Sequence, residues 1–163
     1  MEEFEKMRRL YAHTQVLSSE LAWDIADEAL WTGLLHFVHA PEKFNAQICS
    51  STVKAGAGDG SKIVFERTLD FGTHRVQDTV YLNPQALAVE FYVQETEHYP
   101  SSLLRVEIVR TPEHLPAIVF TYFAEREPQV PAALRPLLEQ AWEQKDKDVF
   151  KRIVREALEA SER

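Results

Sequence analysis

The feature that most constrains this chain is a run of short strands with no helix between them. Over residues 46–123, segments with strand character are separated by turn formers such as Asn83-Pro84 and Thr111-Pro112-Glu113. The six segments are residues 47–54, 62–70, 73–82, 86–93, 103–110 and 115–123. Loops of a few residues join antiparallel neighbours, whereas a parallel connection needs a crossover of a dozen or more residues. The run therefore predicts an antiparallel sheet and excludes a βαβ nucleotide-binding fold.

One strand and one helix are predicted before this run. Residues 10–17 alternate in polarity, which is typical of a strand. A helix is predicted next, with Asp24 or Asp27 as its N-cap and Pro41 as its end, followed by a short turn over residues 42–44. Its apolar residues recur at spacings of three and four: Leu30, Trp31, Leu34, Leu35 and Val38.

A long helix is predicted after the run, over residues 133–160. This segment is rich in strong helix formers, and Pro136 fits only in its first turn, where a missing amide costs nothing. Its apolar residues recur at helical spacing and are expected to share one face: Leu134, Leu138, Ala141, Trp142, Val149, Ile153 and Ala157. Such a helix is long enough to cross a whole small domain.

Length and charge limit the class of protein. The 163 residues predict one domain over residues 1–163, with residues 1–8 as a loosely ordered tail. The formal net charge of −8 argues against a nucleic-acid partner, which selects for clustered Lys and Arg. No apolar run approaches the ~18 residues of a membrane span, so no membrane insertion is expected. The single cysteine, Cys49, excludes an internal disulfide and is expected to be a buried residue of a strand in a cytoplasmic protein.

A glycine cluster and a pair of histidines suggest a phosphate site and a metal site, but a structural role is the better interpretation of each. Gly56, Gly58 and Gly60 lie between two strands, whereas a phosphate-binding glycine loop opens a helix, so a hairpin turn is predicted. His36 and His39 share a helix, but Pro41 prevents Glu42 from aligning with them as a third ligand. We expect structural histidines, no metal and no cofactor. His74, His98 and His114 fall in loops with no nucleophile identifiable beside them.

Two charged residues fall on a predicted apolar face. Alternation places Arg67 beside Phe65 and Leu69, and it places Asp78 beside Val76 and Val80. The two strands are consecutive, so the charges are expected to pair, because either one buried alone would cost several kcal/mol. Three interpretations stay open: a structural ion pair, a polar anchor at one end of a ligand cavity, or a bulge that turns both residues to solvent.

Aromatic residues are the other enriched ingredient. Most are expected in the core, and a buried Tyr122 needs a hydrogen-bond partner from protein, water or ligand. Those of the sheet are Phe65, Tyr81, Phe91, Tyr92, Phe120, Tyr122 and Phe123, and Trp31 and Trp142 lie on the helices.

Several short motifs, in this order and spacing, carry a family resemblance. They are Leu30-Trp31-Thr32-Gly33-Leu34, Pro41-Glu42-Lys43-Phe44, Arg67-Thr68-Leu69, Asp78-Thr79-Val80-Tyr81-Leu82, Phe120-Thr121-Tyr122 and Ala141-Trp142. Together with the order of elements, they make the chain resemble the START-like (SRPBCC) superfamily, and within it the AtaL-like subfamily. The resemblance implies an α+β helix-grip fold, in which a curved antiparallel sheet of about seven strands wraps around the long C-terminal helix.

The same resemblance implies a cavity between sheet and helix that takes an apolar, aromatic or lipid-like small molecule. The predicted ligand-binding residues are Phe65, Arg67, Asp78, Val80, Phe91, Val106, Phe120, Tyr122 and Trp142. One alternative is a cyclase or isomerase in which Asp78 accepts a proton and Tyr122 or Arg67 stabilises an oxyanion. A nearby guanidinium weakens a carboxylate as a proton acceptor, which counts against that alternative. A third hypothesis is an interaction protein with a filled interior, and homodimer formation is left open.

Overall fold

The computed structural model describes residues 6–18, 25–56, 63–97 and 100–161. Its strands are β1 (Arg8–Val16), β2 (Ser50–Ala55), β3 (Ile63–Asp70), β4 (Arg75–Asn83), β5 (Ala88–Val93), β6 (Ser102–Arg110) and β7 (Pro116–Ala124). Its α-helices are α1 (Asp27–His39) and α2 (Arg135–Ser161), and short 3₁₀ helices lie at Pro41–Lys43 and Ala132–Leu134. All seven predicted strands are present, with ends that differ from the prediction by at most three residues.

The strands form one antiparallel sheet in the order β1-β7-β6-β5-β4-β3-β2. From β2 to β7, each strand pairs with its neighbours in the chain, as the short loops predict. The first strand instead pairs with the last, with Tyr11 opposite Tyr122 and His13 opposite Phe120. The predicted α+β helix-grip architecture, with two helices packed on one face of this sheet, is confirmed.

The start of α1 differs from the prediction. Ala26 occupies the N-cap position and makes no side-chain cap hydrogen bond, so Asp27 is the first helical residue and not a cap. The Asp27 carboxylate instead accepts hydrogen bonds from Arg110 at 2.8 and 3.0 Å, where it also offsets the positive end of the helix dipole. The other candidate, Asp24, lies outside the described residues. The helix ends at His39, two residues before Pro41, as predicted.

The long helix α2 has two unequal halves. Pro136 lies in its first turn, as predicted, and the second half is buried in the core through Val149, Phe150, Ile153, Val154 and Ala157. The prediction of one apolar face along the whole length is wrong for the first half. Leu134 is 48% exposed and Ala141 is exposed, because this half extends past α1 and meets the sheet mainly at β1.

The core lies between the two helices and the inner face of the sheet, which we define as the face that carries Phe91, Val106 and Phe120. Helices α1 and α2 cross closely at Gly33, where a Cβ atom would lie 3.0 Å from Ile153 Cγ2 and 3.2 Å from the Ile153 carbonyl oxygen. The absence of a side chain there allows α2 to pack against α1. Within the described residues, no helix is long and apolar enough to cross a membrane.

Two predictions about loops have different outcomes. Cys49 was predicted to be a buried strand residue, and this is wrong: it precedes β2 and its side chain is exposed. The alternation that suggested a strand starts too early, because Asn45 and Ile48 form a turn before the strand. Of the glycine cluster, residues 57–60 lie outside the described residues. The two strands that it joins, β2 and β3, pair as antiparallel neighbours.

Candidate functional site

A buried ion pair connects the middle of β3 to the middle of β4. Arg67 lies directly opposite Asp78, and its Nε and Nη2 atoms donate to the two carboxylate oxygens at 2.9 and 2.6 Å. The two side chains are only 3% and 4% exposed. The predicted pairing is confirmed, and the pairing of β3 with β4 runs in one continuous register, so no bulge turns these residues outward.

The same arginine also ties the sheet to the end of α1. Its Nη1 atom donates to the carbonyl oxygen of Val38 at 2.9 Å, one of the carbonyls that a helix end leaves without a partner. The guanidinium carbon lies 4.9 Å from the centre of the Phe91 ring. A cation at a helix C-terminus and over an aromatic face is favoured by both contacts. The ion pair therefore connects β3, β4 and the C-terminal end of α1.

A second buried cluster joins β1, β7 and α2. The Tyr122 hydroxyl donates to Asp146 Oδ2, and His13 Nε2 donates to the same oxygen at 2.9 Å. Gln15 Nε2 lies 3.3 Å from His13 Nδ1, so that the ring accepts on one nitrogen and donates from the other. Asp146 is 2% exposed. The partner that a buried Tyr122 was expected to need is therefore a protein carboxylate.

Asp146 and His13 were not identified from the sequence. A signal for Asp146 was present, since it lies four residues after Trp142 and three before Val149, on the apolar stripe of α2. His13 alternates with Tyr11 and Gln15 on one face of β1 but carries no signal that it is buried. A carboxylate at a core position of a helix is the pattern to look for, because it needs a buried donor.

The environment of Tyr122 keeps its hydroxyl protonated. Burial raises its pKa, and the charge of Asp146 and the hydrogen bond to it raise the pKa further. At any physiological pH the hydroxyl is therefore a hydrogen-bond donor, and its proton is directed at Asp146.

An aromatic stack lies next to this cluster. The Trp142 ring lies parallel to the Tyr122 ring, with centroids 4.6 Å apart and an interplanar angle of 11°. Tyr11 flanks Trp142 at 6.2 Å, and Lys145 Nζ lies 5.5 Å from the Tyr122 ring centre. Trp142 is half-buried, so its ring is shared between this cluster and the space beside it.

That space is a large open concavity of about 2050 Å³, which we call the concavity. It runs along β2, β3 and β4, past the ends of β5 and β6, and along the 124–130 segment to the first turns of α2. Of the predicted ligand-binding residues, Arg67, Asp78 and Trp142 line it. The concavity lies beside the core and not inside it.

The other predicted ligand-binding residues lie in or against the core. Val80, Phe91, Val106 and Phe120 are buried there, and Phe65 and Tyr122 pack against it. They are covered because α1 and the second half of α2 pack directly on this part of the sheet. The structure thus places Arg67, Asp78 and Trp142 along the concavity and the other predicted residues in or against the core, with the Arg67 guanidinium over the Phe91 ring.

The chemistry of the lining is mixed. On the inner face the strands contribute the hydroxyl side chains of Ser51 and Ser102, whereas Gln77 and Thr79 alternate with Asp78 and belong to the outer face. The rim carries charged pairs such as Arg126 with Glu95 at 3.3 Å. Apolar surface comes from Val53, Val93, Leu138 and Trp142, among others. The concavity can therefore contact both a carbon skeleton and polar substituents.

The helix histidines have protein contacts. His36 Nδ1 donates to Glu156 at 2.8 Å, and the His39 ring lies edge-on to Phe65 at 4.7 Å. Across the described ranges, no group of three or more His, Cys, Asp or Glu side chains is placed to hold a metal ion.

Several solved structures share the fold of this chain. The Zhui aromatase/cyclase from Streptomyces sp. R1128 has a TM-score of 0.60 at 15% identity, with 93% of each chain covered. A START superfamily protein from Mycobacterium smegmatis has a TM-score of 0.61 at 14% identity, covering 91% of this chain and 99% of that one. The di-domain ARO/CYC StfQ from the steffimycin biosynthetic pathway has a TM-score of 0.65 at 9% identity, covering 99% of this chain and 54% of that one. The fold is that of the START-like superfamily.

The family within this class follows from the sequence itself. A profile of the family described as "AtaL: Acetylaranotin biosynthesis cluster protein L" matches residues 11–161. The chain therefore belongs to the AtaL family. No curated protein matches the sequence significantly.

Proposed function

We propose that this protein binds a small molecule with an aromatic or otherwise apolar skeleton in the concavity. The observation that carries the proposal is the inner-face part of the concavity, where the Trp142 ring, Leu138 and Val93 lie close to the buried Arg67–Asp78 pair. A START-like fold whose α2 leaves part of the inner face uncovered supports the same conclusion. The lone cysteine supports a cytoplasmic location.

The lining favours a ligand with polar substituents over a plain hydrocarbon. The hydroxyl groups of Ser51 and Ser102 supply hydrogen-bonding groups on the inner face. A ligand that buried them without pairing them would lose the free energy of their hydration. An oxygenated ring system satisfies both the aromatic wall and these polar groups.

A cyclase or isomerase that uses the same concavity is the second candidate, since two of the similar structures are named as aromatase/cyclases. The geometry favours binding over this alternative. Both Asp78 oxygens accept from Arg67, so proton transfer to Asp78 requires the ion pair to open. The Tyr122 proton is committed to Asp146, which leaves that hydroxyl without a proton for an oxyanion. The third candidate, an interaction protein, is favoured by the filled core but not by the concavity beside it.

A steric block tests the proposal. Ser102 lies on the inner face between Val93 and Ala124 and lines the concavity, so Ser102→Trp places a bulky ring on the inner-face part of the lining without removing a buried ion pair. Val109→Trp is the matched control, because Val109 is on the same strand, exposed, and outside the lining.

We expect planar oxygenated aromatics from a small-molecule library to raise the melting temperature of the wild type and of Val109→Trp, but not of Ser102→Trp. A ligand at 100 times its Kd stabilises the folded state by about 2.7 kcal/mol. Native mass spectrometry gives the stoichiometry. Absence of any thermal shift in the wild type, or an equal shift in Ser102→Trp, would contradict the proposal.

A further inference from the structure

We infer that Asp146 is a positioning residue that, through Tyr122, fixes the Trp142 ring as a rigid part of the lining of the concavity and thereby favours planar ligands. This inference rests on the proposed function, because it assigns a role to Asp146 in the same site. Asp146 itself does not line the concavity. It acts through the two rings.

The half of α2 that precedes Asp146 is held in place by few contacts with the core. Residues 135–145 lie beyond the part of the helix that the core holds, and Leu137 within them is 60% exposed. Trp142 contacts the sheet side through Tyr11 and Tyr122, and Arg135 Nη2 lies 3.5 Å from the Leu10 carbonyl oxygen. The position of this half therefore depends strongly on where the Trp142 ring lies.

A continuous series of contacts leads from the core to Trp142 through Asp146. The His13 ring stacks on Phe120, which is 1% exposed, with centroids 5.1 Å apart and an interplanar angle of 7°. His13 donates to Asp146 Oδ2, and Tyr122 donates to the same oxygen. Since the hydroxyl bond fixes the Tyr122 ring, the parallel Trp142 ring has a fixed surface to stack on.

The carboxylate is the group that makes this arrangement specific. Two donors converge on one oxygen, and Lys145 Nζ lies 3.9 Å from the other. The amide oxygen of Asp146→Asn has two lone pairs and can still accept from both His13 and Tyr122, but it carries no charge. Charge-assisted hydrogen bonds are stronger than neutral ones. The variant therefore keeps the shape of the side chain and weakens both hydrogen bonds that hold the Tyr122 ring.

The experiment reads the position of Trp142 directly, without a ligand. The protein is labelled with 5-fluorotryptophan, and the ¹⁹F resonances of Trp142 and Trp31 are assigned among the three tryptophans with Trp142→Phe and Trp31→Phe. The resonance of Trp31 reports on the core. In Asp146→Asn we expect the Trp142 resonance to shift and broaden while that of Trp31 stays in place. Tyr122→Phe removes only the hydroxyl and is expected to act in the same direction. It keeps the inference testable if Asp146→Asn does not fold.

Ligand selectivity is the second readout. The planar probe is 1-anilinonaphthalene-8-sulfonate and the flexible one is dodecanoate. We expect Asp146→Asn to weaken binding of the planar probe about tenfold, the equivalent of one charge-assisted hydrogen bond, and that of dodecanoate by less. Asp148→Asn is the matched control, since Asp148 is exposed on the same helix. Ile153→Val lowers stability in the α2 core without touching the cluster.

Each outcome bears on one of the two proposals. An unchanged Trp142 resonance in both Asp146→Asn and Tyr122→Phe would overturn the positioning role, whatever the probes do. Equal weakening of both probes, or an equal loss of planar-probe binding in Ile153→Val, would also overturn it, because a loss of stability alone would then explain the effect. If the Trp142 resonance shifts in the variants but the wild type binds neither probe, the positioning role of Asp146 is supported and the proposed function is contradicted.

Discussion

At the scale of single residues, the few buried charges are each paired within the protein. Arg67 uses three nitrogen atoms on three protein acceptors, and Asp146 receives two donors on one oxygen. Among the described residues, no buried side-chain nitrogen or oxygen lacks a partner. Each charge is therefore compensated, and removing one member leaves another exposed to a low-dielectric environment.

The Arg67–Asp78 pair gives the largest expected effect of a single change. Arg67→Ala leaves the Asp78 carboxylate and the Val38 carbonyl without donors, and we expect it to lower the free energy of unfolding by ~3–5 kcal/mol. Urea denaturation followed by circular dichroism measures the loss. Arg75→Ala is the matched control, since Arg75 is 75% exposed and lies 3.8 Å from Asp70. A loss no greater than that of the control would show that the pair does not stabilise the fold.

Glu156 gives a pH-dependent prediction. Burial by itself raises its pKa, but hydrogen bonds from His36 and Arg152 and the charges of those residues outweigh it, so the pKa lies below the ordinary 4.5. The ionised group therefore stabilises the folded state above the unfolded pKa, and this contribution is lost as the pH falls through the lower folded value.

We accordingly expect Glu156→Gln to be less stable than the wild type at neutral pH. The difference in stability should begin to shrink near the ordinary glutamate pKa of 4.5 and should disappear once the pH is below the lower pKa of the folded state. Thermal melts across the pH range measure this difference, with Glu159→Gln, an exposed residue of the same helix, as the control. A difference that stays constant with pH would rule out the ionised carboxylate as its source.

The residues that could be predicted are those whose partners lie close in sequence. Arg67 and Asp78 belong to consecutive strands, so alternation and hairpin pairing together place them face to face. His13 and Asp146 are 133 residues apart on a strand and a helix, and no local pattern connects them. Only the tertiary packing of α2 on β1 brings these two side chains together.

At the scale of elements, the spacing of apolar residues predicts where a strand or helix lies. It does not predict how far the elements packed against that strand or helix extend. The strands were found because alternation and turn formers are local signals. The apolar stripe of α2 was correct for Val149, Ile153 and Ala157 and wrong for Leu134 and Ala141. Whether an apolar helix residue is buried depends also on the length of the element that it packs against. The spacing of apolar residues in the helix gives no information about that length.

The two halves of α2 should therefore respond differently to truncation of a side chain. Ile153 is fully buried at the crossing with α1, so we expect Ile153→Ala to cost ~2–5 kcal/mol through lost burial and a residual cavity. Leu137 is 60% exposed, and Leu137→Ala should stay within about 0.5 kcal/mol of the wild type. Chemical denaturation of both variants measures the contrast. Equal losses would contradict the division of α2 into a core half and a projecting half.

At the scale of the whole molecule, the fold was predictable and the shape of the site was not. The order of elements was sufficient for the helix-grip architecture, because short loops leave few ways to arrange the strands. The position of the concavity depends instead on where α1 and α2 rest on the sheet. That docking covers Val80, Phe91, Val106 and Phe120 and leaves Trp142 half-buried beside the concavity, with the buried Arg67–Asp78 pair also on its lining.

The pairing of the first strand with the last has a consequence for how the protein is made. Strand β1 ends at Val16, and its partner β7 begins only at Pro116. At synthesis rates of about 5–20 residues per second, the nascent chain leaves β1 without its partner for on the order of ten seconds. During translation strands β2 to β7 can pair as they are made, whereas the free edge of β7 is covered only when β1 pairs with it, and Asp146 meets His13 only after α2 has been synthesised.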